Sequence, residues 1–282
     1  MSFAAHFAWV AVLSYLFARV LGRVDSAGQS WAWRNPPVAI VCWQAVGLAF
    51  GLSVIGFPIA IGVAPYGLGP GSGFQALLGN LFGGGRLPVD LGPTRLALIA
   101  VGLGIAAVLL GSTAHSLLGA LRAQRRHRDL LTLVARDDPA APGALVLDHP
   151  SAAAYCLPGA RPQVVVSAGT LNLLNRTELA AVLSHERAHA DERHDLVLLP
   201  FTALCRALPR LRWVHTARET VALLVEMRAD DKARRLHADA PLAAALLRFA
   251  ETGGRPVAPT GTPGCNGCGP PPRVPGSSIF SP

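Results

Sequence analysis

The first 128 residues of this chain hold only two carboxylates, Asp25 and Asp90, and three long apolar runs fill the same stretch. A carboxylate is costly inside a bilayer, and about 20 apolar residues cross one as a helix. The runs cover residues 3–21, 37–64 and 96–121, so three N-terminal transmembrane helices are expected. Gly51, Gly56 and Pro58 mark places where the second could kink. Charged residues make up 15% of the chain and hydrophobic residues 51%. A soluble domain carries about 25% charged residues, so this composition argues against one. It also excludes disorder for most of the chain.

The net charge of +8 invites a nucleic-acid reading. The arginines point elsewhere: Arg19, Arg23, Arg34, Arg122, Arg125, Arg126 and Arg128 stand beside the apolar runs. That is how a chain anchors against anionic lipid on the cytoplasmic side. Membrane lipid is therefore an expected partner, with no direct contact to nucleic acid. The Arg122–Arg128 cluster sets the orientation of a multi-pass cell-membrane protein. The loop with Arg23 and Arg34 lies inside, residues 65–93 and the N-terminus lie outside, and everything from Asp129 begins in the cytoplasm. The first run lacks a basic stretch before it and an A-x-A site after it, so a cleaved signal peptide is not expected. The five cysteines are odd in number and scattered, with no disulfide framework. Cys265 and Cys268 have zinc-like spacing but no second ligand pair nearby, and read as coincidence.

The transmembrane region thus ends near residue 128. Residues 129–252 have a mixed composition, and residues 253–282 form a Pro/Gly-rich tail expected to be disordered. Short strand-like runs appear at 145–147, 153–157 and 163–166, separated by turn residues. Asn175 and Glu178 have the spacing of a capping box and open a helix toward about Glu192. Residues 196–208 suit a core or membrane-leaning helix, and a further helix is expected over about 216–236.

The chemistry lies in His185-Glu186-Arg187-Ala188-His189, an H-E-x-x-H sequence within the predicted helix. Residues four apart share a helix face, so both imidazoles can reach one Zn²⁺. Glu186 is offset around the helix, where it can hold a water and take its proton. Three residues compete for the third ligand. His194 follows His185 by nine positions, about 180° around a continuing helix, and would face away. Asp195 has the position of a third ligand in another zinc motif, but that motif needs a glycine where Glu192 stands. Glu226 is the better choice, with Asp230 one turn further along and suited to fix a histidine tautomer.

H-E-x-x-H followed by Glu226-Met-Arg-Ala-Asp230 resembles the gluzincin membrane peptidases, both the heat-shock and CAAX-processing proteases and the BlaR/MecR antirepressor-type peptidases. The chain is more similar to the second group. It shares the three N-terminal spans and a stretch like Ala154-Tyr-Cys-Leu-Pro-Gly159 ahead of residues 164–170. The resemblance is good over about 145–250 and rests on topology alone before that. It implies a mostly α membrane protein with a small α+β gluzincin-type zinc peptidase domain. It implies one Zn²⁺ held by His185, His189 and Glu226, with Glu186 as base and Asp230 behind the ligands. Ala154, Tyr155 and Cys156 would line the cleft as an edge strand for substrate. The oxyanion-stabilising group is open among His237, Arg234 and Tyr155. The implied substrate is a winged-helix repressor or the peptidase itself.

The chain also departs from that group. It shows no span after the zinc domain and no extracellular penicillin-binding domain, so beta-lactam sensing is not implied. Residues from about 255 read as a truncated, frame-shifted or divergent end. Two rival readings stand beside regulatory proteolysis: a membrane-protein quality-control protease, and a non-catalytic receptor with a structural zinc. An intact Glu186 argues against the last, since a structural zinc needs no base.

Overall fold

The apolar runs are helical in a computed structural model that describes residues 2–21, 31–159, 162–237 and 239–251. The expected tail and the Cys265/Cys268 pair lie outside the described residues. The N-terminal elements are α1 (Ser2–Leu21), α2 (Trp31–Arg34), α3 (Pro36–Gly62), a 3-10 turn at Ala64–Tyr66, α4 (Pro70–Gly83) and α5 (Pro93–Val134). Among them α1, α3 and α5 are long and apolar enough to cross a membrane. At 42 residues, α5 runs well past residue 121. The Arg, Gln and Leu residues that follow are good helix formers, so the helix continues past the end of the apolar run.

The glycine-rich stretch after residue 65, expected as an outside loop, contains a helix. Pro70 opens α4 in the first turn, and Gly84 closes it in the left-handed region at φ 69°. Phe74 and Leu77 give α4 an apolar face, packed with Val63, Leu91 and Ile99. Glycines elsewhere serve close packing. A Cβ on Gly62 would collide with Ile99, and one on Gly102 would stand 2.5 Å from Cγ1 of Ile59 and 3.0 Å from the Ile55 carbonyl. Small residues of this kind let membrane helices approach closely. Gly56 acts similarly, taking the ring of Phe7.

The chain forms two compact units. One comprises Met1–Val24, Pro37–Ala114 and Phe201–Val221, and the other comprises Asp25–Pro36, His115–Pro200 and Ala222–Pro282. In the first, Trp213 meets Tyr15 and Phe50 edge-on, with ring centroids 6.3 Å and 5.0 Å away. A Cβ on Gly47 would stand 3.9 Å from the Phe201 ring. Residues 201–221, which follow the zinc motif in sequence, therefore pack with the apolar helices through aromatic contacts.

The second unit contains β1 (Ala135–Asp137), β2 (Ala144–Leu147), β3 (Ala154–Leu157) and β4 (Gln163–Ser167) in the order β1-β2-β4-β3. β2 and β4 are parallel, while β1–β2 and β3–β4 are antiparallel. The helices that follow are α6 (Ala168–Leu173), α7 (Arg176–Asp191), α8 (His194–Ala207), α9 (Arg212–Leu236) and α10 (Asp239–Glu251). The alternation of a strand places Val146, Val164 and Val166 on one face, against Leu179, Val182 and Leu183 of α7 and Phe249 of α10. Val165 points to the other face and packs with Leu131 of α5 and with Leu157 and Tyr155. This arrangement leaves β3 at the sheet edge, with α7 packed against it.

Candidate metal centre

The helix carrying the histidines begins with a full capping box. The Asn175 side chain accepts from the backbone N–H groups of Thr177 and Glu178 at 3.0 and 2.9 Å, and Glu178 accepts from the Asn175 N–H at 2.9 Å. Glu178 is buried, and Arg248 of α10 approaches it to 3.3 Å. Each link satisfies a donor that the first turn would otherwise leave unpaired.

His185 and His189 lie one turn apart on α7, and their Nε2 atoms are separated by 3.1 Å. Oε2 of Glu226, on α9, stands 3.5 Å from the first and 3.4 Å from the second. Donors bound to zinc at about 2.0–2.1 Å with tetrahedral angles stand roughly 3.3 Å from one another. The triangle in this protein therefore has the size of three zinc ligands, and two imidazoles with a carboxylate is a zinc donor set. Among the described residues, this is the group of three whose side chains could hold a metal ion.

The histidines and carboxylates of the cluster shift one another strongly. Burial pushes the His185 imidazole down, but the carboxylates of Asp230 and Glu226 outweigh it and hold it at about 10. Burial raises Glu226, and the two histidines bring it down to about 2. Asp230 Oδ1 lies 2.9 Å from Nδ1 of His185, the nitrogen turned away from the triangle. The contact is off the line of a well-directed hydrogen bond and works as an ion pair. Arg228 is drawn to Glu192 at 3.0 Å, so it leaves the Glu226 carboxylate to the histidines.

Glu186 is 4% exposed. Burial pushes its carboxyl up, with opposing pulls from His185 and His189, and it stands at about 7. It accepts a hydrogen bond from the backbone N–H of Cys156. That bond follows from the sheet register. Ser167 N–H donates to the Ala153 carbonyl, so residues 153, 155 and 157 turn their backbone groups toward β4. Ala154 and Cys156 turn theirs to the open edge.

The other candidates are dispersed. Tyr155 points its side chain to the opposite face of the sheet, where its hydroxyl lies 2.7 Å from Nε2 of His127; burial raises its pKa. The Cys156 thiol is buried and pushed up to about 12 by burial and then by Glu186. His237 Nε2 is 2.8 Å from the hydroxyl of Ser184. Arg234 is exposed. Asp195 is outside the triangle, 3.6 Å from Arg193.

His194 corrects the sequence expectation. It would face away only if the helix continued, but α7 ends at Asp191 and Arg193 takes a positive φ of 51°. A non-glycine residue thus makes the sharp turn that Glu192 seemed to preclude. The turn brings Nδ1 of His194 to 2.9 Å from Nδ1 of His189. The polar run from Asp191 to Asp195, unbroken by any apolar residue, was the available sign that the helix stops there.

Residues 120–251 match the model of Peptidase family M48. The match runs from the last part of α5 through α10 and contains every residue of the cluster. Peptidases of this family are zinc metalloproteases, so the match supports metalloprotease activity on a protein substrate. No curated protein and no solved structure matches the chain.

Proposed function

We propose that this protein is a membrane-anchored zinc endopeptidase with its catalytic domain, residues 129–252, in the cytoplasm and its anchor in residues 1–128. The observation that carries the reading is the 3.1–3.5 Å triangle of His185, His189 and Glu226 beside the buried Glu186. Those three side chains would hold one Zn²⁺, which polarises the scissile carbonyl and makes a neighbouring water acidic. Glu186 takes the proton of the attacking water and passes it to the leaving amine. Its buried setting keeps its affinity for that proton high. Asp230 holds the His185 ring through the outer nitrogen.

An extended substrate would pair with β3. The Ala154 carbonyl faces the open edge and suits the addition of a strand. The Cys156 N–H on the same edge is taken by Glu186, so the base sits beside the place where substrate would pair. Tyr155 contributes through the fold of this strand and not through its hydroxyl.

Regulatory cleavage is the finer reading, with a winged-helix repressor or the peptidase itself as substrate, and it follows from the likeness to BlaR/MecR-type peptidases. The test compares the proteome of cells carrying the wild type with that of cells carrying Glu186→Gln. A small set of cleaved repressors that disappears in the variant supports it. Loss of cleavage of many unrelated misfolded membrane proteins would indicate quality control instead. Unchanged cleavage in the variant would remove the enzymatic reading.

A further inference from the structure

A second line of polar contacts leads away from the metal side of His189, and the proposal drawn from it rests on the zinc reading above. His189 turns Nε2 to the triangle and Nδ1 to His194, 2.9 Å away. Nε2 of His194 lies 3.3 Å from Oε2 of Glu192. Glu192 is held by Arg228, whose Nε and Nη2 lie 3.1 and 3.0 Å from its two oxygens, with the Lys232 ammonium at 3.5 Å. His189 and His194 are 6% and 3% exposed, so water does not compete for the contact between them.

The order of donors along this line follows from the carboxylate. An ionised Glu192 can only accept, so Nε2 of a neutral His194 carries the hydrogen. Nδ1 of His194 then has a lone pair and accepts from Nδ1–H of His189. That leaves Nε2 of His189 without a hydrogen, its lone pair turned toward His185 and Glu226. We propose that His194 is a positioning residue that fixes the tautomer and ring angle of the metal ligand His189, with Glu192 and Arg228 fixing His194 in turn. His185 has a carboxylate in this role, and His189 has a histidine backed by a carboxylate. The left-handed turn at Arg193 gains a purpose from this, because it alone returns His194 to the helix it has just left.

The full-length chain in detergent tests the proposal through zinc affinity, measured by competition with a chromophoric chelator, alongside melting of the metal-free form. Loss of a partner behind a ligating histidine costs about 10–100-fold in metal affinity, and His194→Ala is expected to fall in that range. His194→Asn should restore most of the loss, since its Oδ1 stands where Nδ1 stood and still accepts from His189. Glu192→Gln should give an intermediate loss. With cobalt in place of zinc, His194→Ala should also shift the visible absorption bands. A folded His194→Ala with wild-type affinity overturns the proposal, as does an asparagine variant as weak as the alanine one. If His194→Ala does not fold, Glu192→Gln decides, and unchanged affinity there overturns it. Wild-type protein that binds no zinc would overturn the reading of the site itself, an outcome distinct from the others.

Discussion

The Nε2 atoms of His185 and His189 face each other across 3.1 Å, with the Glu226 carboxylate at 3.5 and 3.4 Å. Without a metal, a proton must sit among the three groups, and His185, held at about 10, carries it at neutral pH. Zinc needs the neutral imidazole, so binding releases that proton. The sign is fixed by the direction of the shift. Below pH 10 zinc competes with a proton, and apparent affinity rises with pH by about tenfold per unit for one proton released. Calorimetric titration of zinc in buffers of different ionisation enthalpy, at several values between pH 6 and 9, measures both quantities. Affinity that does not change with pH would contradict the assignment of His185 as a ligand.

Glu186 is tied to the sheet edge by Cys156 and is buried beside the triangle without being part of it. Base and ligand roles should therefore separate. Glu186→Gln preserves shape and should leave zinc content intact, while peptide hydrolysis falls by about 10²–10⁴-fold, the range for a positioned general base. Metal analysis and turnover of a cleavable peptide on one preparation check this. A glutamine variant that hydrolyses peptide at the wild-type rate would exclude Glu186 as the base.

What the sequence made legible is what is local. The spacing of His185 and His189 is a property of one helix, and Asn175 and Glu178 cap that same helix within its first turn. The apolar runs are equally local, since twenty residues of one character decide the matter. The missed features depend on partners distant in sequence or on one unusual backbone angle. β1 has only three residues and exists through its pairing with β2. α4 carries its apolar residues at helical spacing, but its glycines masked them, and packing against Val63 and Ile99 makes the helix worthwhile. The position of His194 depends on a positive φ at Arg193, which is unfavourable for a non-glycine residue on its own terms. The His189–His194 and Glu192–Arg228 contacts made by the residues on either side of Arg193 offset that cost. Trp213 could not be assigned to the first unit from sequence, because Tyr15 and Phe50 lie far upstream.

The cap at Asn175 offers a test of stability separate from the chemistry. Its side chain satisfies two backbone donors, and Glu178 returns a bond to its own N–H. Asn175→Ala should lower stability by about 0.5–2 kcal/mol. Glu178→Ala should cost more than an exposed cap residue would, because it strips Arg248 of a buried carboxylate as well. Neither residue touches the triangle. Thermal melts of the zinc-free and zinc-loaded forms should show the same loss in both, with zinc affinity per folded molecule unchanged. A cap variant that lowers zinc affinity without lowering the melting temperature would mean that α7 is positioned in some other way.

Two glycines in α5, two positions apart, differ only in their surroundings. A Cβ on Gly102 would meet Ile59 and the Ile55 carbonyl of α3, whereas one on Gly104 would have nothing within 4 Å. Both positions lie in the same helix, so a valine costs the same helix propensity at either. Any difference between Gly102→Val and Gly104→Val therefore reports the packing of α3 against α5. The backbone carbonyl at 3.0 Å cannot rotate away as a side chain could, so the helices must separate. Overpacking of this kind costs about 1–3 kcal/mol, and in detergent it should appear as a lower melting temperature for Gly102→Val alone. Equal melting temperatures for the two variants would show that α3 and α5 do not depend on this close approach.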